Sequence, residues 1–293
     1  MQTTELPQSV CKYLDRLNIN FIWGDLPGKR KVHLVNWKQV CKSKQEGGLG
    51  IKRAEDHNLA LLTKLGWKLI SDKDTQWSAV LRGKYLHKES LMDWPSNRLA
   101  SHTWRSIIKT RDLLKKCVKW PIGNGQNISF WNDWWYGETT IASQCPGDHT
   151  SNYLKVTEVI KEYGPWNLDS LTEFIPQSIL LDISQIHLPQ FVEVPDSPHW
   201  IGAPSGNFTV SATYDLLTTL DQDSDNVSWH WIWKQKIPQN LKGLCWLLFH
   251  EKILTNYYRK IGGLTTDDSC PRCNLAQEDL CHLFKDCPKS MEE

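Results

Sequence analysis

A helix-rich α+β fold, several helices with small β-hairpins, is what this sequence predicts, and three observations predict it. Leu61, Leu62, Leu65 and Leu69 recur at three- and four-residue steps, the spacing of one apolar helix face, and Trp104, Ile107, Ile108 and Leu114 repeat that spacing. Elsewhere turn residues punctuate apolar ones, as in "WPIGNGQNISFWNDWW", where Gly-Asn-Gly precedes Ile128, Phe130 and Trp134. Last, "SCPRCNLAQEDLCHLFKDCP" places Cys270, Cys273, His282 and Cys287 at metal-ligand intervals, so the C-terminal tail is expected to be bound to zinc.

In chain order, residues 4–24 open with a short helix and finish at "FIWGD". A Pro27–Gly28 turn follows, then the basic cluster Lys29, Arg30 and Lys31, then alternating Val32 and Leu34 before Trp37. "CKSKQEGGLGI" reads as a helix end and a glycine loop. Gly47, Gly48 and Gly50 fit neither phosphate-binding glycine pattern, and no apolar strand precedes them. Helices are predicted over 53–71, 75–85 and 104–118. Ser101 lies near the cap position of the last, and Lys109, Arg111, Lys115, Lys116 and Lys119 decorate it. The Gly-Asn-Gly segment predicts a hairpin. Asp133, set among Trp131, Trp134 and Trp135, is expected to accept an indole N–H. Short helical stretches occupy 150–192. Residues 197–220 then read strand, turn, strand, helix, with Ser211 as the cap. "DQDSDNVS" is an acidic linker. After it, one long helix is predicted from about Pro238 to Lys260. It should pack near the metal loop through Leu280, Leu283 and Phe284.

With 293 residues, 40% hydrophobic and 23% charged, the chain belongs to the soluble globular class and is long enough for more than one domain. No apolar run reaches membrane-spanning length, and the first residues lack a signal core. An intracellular location is therefore expected, nucleus and cytoplasm not being distinguished. Cys11, Cys41, Cys117, Cys145 and Cys245 are scattered singly, which suits a reducing compartment. Most of the sixteen tryptophans are expected in the core, at amphipathic spacing. Charge divides the chain. Residues 1–119 carry 23 Lys/Arg against 11 Asp/Glu, and residues 120–227 carry 2 against 14. Three regions are read: a basic helical connector over 1–119, an acidic Trp-rich α+β region over 120–227, and a zinc module over 228–293. The basic half either meets phosphates or packs on the acidic middle.

In the tail, C-x2-C lets two thiolates grip one ion, and four Cys/His donors favour a closed structural Zn2+ site over a catalytic one. His282 and Cys287 are five apart, which overshoots one helix face. The helix carrying His282 is therefore expected to end near Phe284 and "KDCP" to curl back. Cys281 competes as a ligand, but beside His282 it points about 100° away on a helix, and His282 is preferred.

These residues resemble the zinc-binding region of plant non-LTR, LINE-type retrotransposon reverse transcriptases, in polyproteins that include ribonuclease H-like members. "CPRCNLAQEDLCHLFKDC" resembles its C-x2-C, Glu, His, Cys pattern. "WHWIWKQKIPQNLKGLCWLLFHEKILTNYYRK" resembles the entry to that module. "FIWGDLPGKRKVHLVNWKQVCKSKQEGGLGIKRAEDHNLALLTKLGWKLI" resembles the segment following the polymerase, and "WPIGNGQNISFWNDWW" its middle signature. The resemblance implies a connector plus zinc module. Polymerase chemistry needs clustered carboxylates, marked in that family by Tyr-x-Asp-Asp, and the sole adjacent Asp pair, Asp267–Asp268, follows Thr265 and Thr266. A non-catalytic protein that binds RNA or DNA is expected, with Lys29, Arg30, Lys31, Lys109, Arg111, Lys115 and Lys116 as contacts. Other retrotransposon proteins are further partners the resemblance implies. The alternative is a structural or interaction remnant of the polyprotein with no independent activity.

Overall fold

The structure is a computed structural model that describes residues 2–71, 75–86, 91–92, 94–95, 99–147, 154–161, 166–188, 194–219 and 229–290. It is helix-rich, with one two-stranded antiparallel sheet among the described residues. The chain forms two compact units, each assembled from two stretches: Met1–Gln8 with Glu55–Asp221, and Ser9–Ala54 with Gln222–Glu293. The acidic linker expected at 221–228 lies outside the described residues.

The first unit is built on helices α3 (Ala54–Ser71) from Glu55 onward, α4 (Gln76–Tyr85), α5 (His102–Ile108) and α6 (Arg111–Cys117). The leucine stripe of α3 faces inward as its spacing requires, with Leu62 and Leu69 buried. Ser101 caps α5 by accepting the Trp104 N–H. The helix expected over 104–118 is broken at Lys109–Thr110. There the Thr110 hydroxyl donates to the Ile107 carbonyl at 2.7 Å, a local bond that competes with the helix ladder. Trp104 is fully buried, stacked on Tyr85 at 4.5 Å and edge-on to Trp94. Such aromatic pairs contribute about 0.5–1.5 kcal/mol each beyond the area they bury.

The hairpin expected after Gly-Asn-Gly does not form. One carboxylate, Asp196, accepts the N–H groups of Gly123, Gly125 and Asn127 at 2.8–2.9 Å, so the loop turns its donors away from a strand partner. Ile128 and Phe130 are buried and pair instead with 154–156. Asp133 accepts the Ser129 N–H, while the indoles of Trp134 and Trp135 donate to the Gly137 and Phe130 carbonyls. The sheet itself joins distant segments, β1 (Val118–Lys119) and β2 (His199–Trp200), with Val118 opposite Trp200. The short helices α7 (Ile141–Gln144) and α8 (Gln177–Ser184) follow β1, and α9 (Val210–Thr219) follows β2. Thr209, not Ser211, caps α9: its hydroxyl accepts the Ala212 N–H, and Ser211 lies inside the helix.

The second unit contains α1 (Gln8–Trp23) from Ser9 onward, α2 (Trp37–Val40), α10 (His230–Lys234), α11 (Gln239–Phe249) and α12 (Asn256–Ile261). Its core is Val35, Val40, Trp229, Ile232 and Trp246. The glycine loop serves this core. The Gly47 carbonyl accepts from the Trp246 indole at 2.7 Å and faces His250 Nε2 at 2.7 Å. Gly47 has φ +80, and a Cβ there would lie 2.5 Å from the Trp229 ring, so only glycine fits.

The single helix expected from Pro238 to Lys260 is two helices. Glu251 adopts φ +54, which stops α11, and the Thr255 hydroxyl accepts the Tyr258 N–H to start α12. Nine of the tryptophans are buried, and among the described residues only Trp231 is as much as 42% exposed, so the aromatic excess is core.

Candidate metal centre and basic surfaces

The tail begins with a turn that aims two thiols inward. Cys270 N–H donates to the Ala276 carbonyl and Asn274 N–H to the Cys270 carbonyl, both at 2.8 Å. Asn274 takes φ +55, a conformation Asn tolerates better than most residues. Ser269 bridges Gln277 across the turn. The next ligand-bearing segment does not end near Phe284 as expected. His282–Asp286 form a π-helical turn, in which Cys287 N–H donates to the His282 carbonyl at 3.0 Å. A π turn closes over five residues instead of four, and this is how donors five apart come to one side. The Asp279 carboxylate caps the turn by accepting the His282 N–H at 2.7 Å.

Ligand atoms of Cys270, Cys273, His282 and Cys287 lie within 4.8 Å of one another. Cys270 Sγ is 3.9 Å from Cys287 Sγ, and Cys273 Sγ is 3.2 Å from His282 Nε2. Bonds of the usual length at a tetrahedral zinc ion set these edges at about 3.8 and about 3.6 Å. The donor set therefore fits zinc in number, chemistry and spacing. Cys270, Cys287 and His282 are buried, whereas Cys281 is exposed and outside the cluster. The Leu275 N–H points at Cys273 Sγ from 3.5 Å, an orientation suited to a thiolate. Burial pushes the Cys287 thiol up, yet the Ser290 hydroxyl and the N–H groups of Lys289 and Ser290 outweigh it and bring it to about 6. The Cys270 thiol is raised: the Cys273 N–H draws it down, but burial and the neighbouring thiols prevail.

Around the cluster, polar side chains do the joining. Buried Glu278 accepts the Asn256 N–H at 2.7 Å, and its carbonyl accepts the Tyr257 N–H. Asn256 Nδ2 donates to the Ser269 carbonyl at 3.0 Å. A carboxylate at the first turn of α12 suits the positive end of that helix. The tail thus meets α12 as expected, but through hydrogen bonds; Phe284 is 53% exposed and Leu280 and Leu283 are half-buried. Glu278 had a signal in the sequence, the Glu between C-x2-C and His. Asp267 accepts from the Ser269 N–H and hydroxyl. Asp268 pairs with Lys260 at 3.0 Å and with Gln277, and these bonds hold both carboxyls below the usual range. Both are structural braces of the loop.

The basic candidates fall into two sets. Lys29, Arg30 and Lys31 are exposed around the Pro27–Gly28 turn in the second unit. Lys109, Arg111, Lys115 and Lys116 belong to the first unit. There Lys109 pairs with Glu5 at 2.5 Å, Arg111 donates to the Trp94 carbonyl, and Lys116 is exposed. Among the described residues no helix is long and apolar enough to cross a membrane.

The family described as zinc-binding in reverse transcriptase matches residues 208–292. A protein of Arabidopsis thaliana named "Putative ribonuclease H protein" is 32% identical across 99% of this chain and 48% of its own length. A second Arabidopsis thaliana protein, named "Uncharacterized mitochondrial protein", is 35% identical across 48% of this chain and 92% of its own length. The chain thus spans about half the length of the first of these relatives. No solved structure matches it.

Proposed function

Since the chain belongs to the plant retrotransposon-derived family of reverse-transcriptase zinc-binding proteins, we propose that it is a non-catalytic nucleic-acid-binding module whose tail is braced by one Zn2+. Cys270, Cys273, His282 and Cys287 hold the ion. Zinc supplies four bonds that close a loop with few apolar contacts of its own. The observation that carries this reading is the convergence of those four donors, three of them buried, beside a helix tied to the same loop by Glu278. No position is left for an attacking water, and Asp267 and Asp268 are committed to structural partners, so no residue of the tail is assigned a catalytic role.

Binding is assigned to cations on the surface: Lys29, Arg30 and Lys31, with Lys109, Arg111, Lys115 and Lys116. Phosphates displace counterions when lysine and arginine meet them, so affinity should fall with salt. Three contacts to a single strand, the size of the Lys29–Lys31 cluster, give a slope of about −2.1 in log affinity against log salt, or about a twentyfold loss between about 50 and 200 mM. Fluorescence anisotropy of a labelled single-stranded RNA at those two concentrations tests this. Binding that ignores salt, or no binding, contradicts the reading and leaves an interaction remnant.

A further inference from the structure

α1 is amphipathic in an unusual way: it leaves two neighbouring surfaces open to solvent. Lys12 and Arg16, four residues apart, share one side of the helix and line a groove of about 1030 Å³ with Arg30, His33 and Trp37. About 100° round the helix runs an exposed stripe of Val10, Tyr13, Leu17 and Phe21, with Tyr13 59% and Phe21 88% exposed.

The groove is poised for an anion. Its two carboxylates are turned to internal donors. Asp15 accepts the Ala54 N–H at 3.0 Å; Asp25 accepts the Lys31 N–H at 2.8 Å and faces His33 Nε2 at 3.0 Å. Lys12 and Arg16, in contrast, have no hydrogen bond or ion pair among the described residues, while Arg30 also lies within electrostatic reach of Asp25. Trp37, in the wall, has a buried indole N–H with no hydrogen-bond partner there. Two spare cations, a third beside them and adjacent exposed aromatic rings together match a strand with phosphates on one side and unpaired bases on the other.

We propose that this surface of α1 binds single-stranded nucleic acid, with phosphates on Lys12, Arg16 and Arg30 and bases stacked on Tyr13 and Phe21. The proposal rests on the nucleic-acid reading above and gives it a site that the basic clusters alone do not define. A duplex has no free base faces and should compete poorly.

The test uses the full zinc-loaded chain and a short fluorescein-labelled single-stranded RNA. Two double variants are compared with the unaltered chain, Lys12→Glu with Arg16→Glu, and Tyr13→Ala with Phe21→Ala; all four side chains are exposed, so folding is not at stake. The charge variant should bind at least about tenfold more weakly, with its salt slope reduced by about 1.4. The aromatic variant should lose about tenfold with its slope unchanged. If the unaltered chain binds and both variants bind equally well, the site is wrong while the reading above stands. If only the charge variant weakens and a duplex of equal length competes as well as the single strand, the surface takes any polyanion and the single-strand assignment fails. If the unaltered chain binds no RNA, both fall.

Discussion

Removing the metal should unfasten more than the tail. Chelation releases Cys270, Cys273, His282 and Cys287, and the 269–288 loop has little else to close it: its buried side chains are Cys270, His282, Cys287 and Glu278. With the loop go three bonds to α12: Asn256 N–H to the Glu278 carboxylate, Tyr257 N–H to the Glu278 carbonyl, and Asn256 Nδ2 to the Ser269 carbonyl. At about 1 kcal/mol each they amount to about 3 kcal/mol, or about two powers of ten in amide protection. Hydrogen exchange read by mass spectrometry, with and without chelator, measures this directly. Peptides covering 269–288 should lose protection almost entirely and those covering 256–261 about a hundredfold, while α5 and α6 in the other unit keep theirs. Equal protection of 269–288 in both states would refute the reasoning.

Other outcomes follow from the same structure. Gly47→Ala must hold a left-handed residue against the Trp229 ring, which should destabilise the second unit by about 2–5 kcal/mol in urea denaturation; a loss below about 1 kcal/mol would contradict the packing described. Alkylation at about pH 8 should mark exposed Cys281 in the zinc-loaded chain and spare Cys117, whose thiol burial pushes up to about 11, leaving about one thiolate in a thousand; peptide mapping after brief labelling decides it. Charge reversal at Lys115 and Lys116 should weaken RNA binding alike for every sequence and lower the salt slope, and a sequence-dependent loss in anisotropy would argue against phosphate contact. The purified chain should neither extend a primer nor cut an RNA–DNA hybrid. Activity that disappears on substituting a single acidic residue of the chain would overturn the non-catalytic reading.

Features governed by local chemistry could be read from the sequence. The leucine spacing of α3 and the Ser101 cap each depend on residues within a few positions of one another and stand in the structure, and the four Cys/His side chains of the tail, within eighteen residues, come together there. What escaped reading was set at a distance or by an unusual backbone. Apolar residues continue through 241–261, so nothing in their period marks the break at Glu251; a left-handed residue and a cap from Thr255 make it. Gly-Asn-Gly looked like a hairpin because the carboxylate that claims its N–H groups, Asp196, lies about seventy residues away. The interval between His282 and Cys287 was awkward for an α-helix and is natural for a π turn. Glu278 fits the Glu of the family pattern, but its bond to α12 joins residues 22 apart in the chain, a pairing no local spacing marks.

The central claim is that one zinc ion, held by four named residues, closes the tail, and native mass spectrometry of the purified chain tests it most directly. The chain should carry one zinc, keep it when Cys281 is changed to Ser, and lose it when Cys287 is changed to Ser. Full zinc occupancy in Cys287→Ser, or loss of the metal in Cys281→Ser, would contradict the assignment.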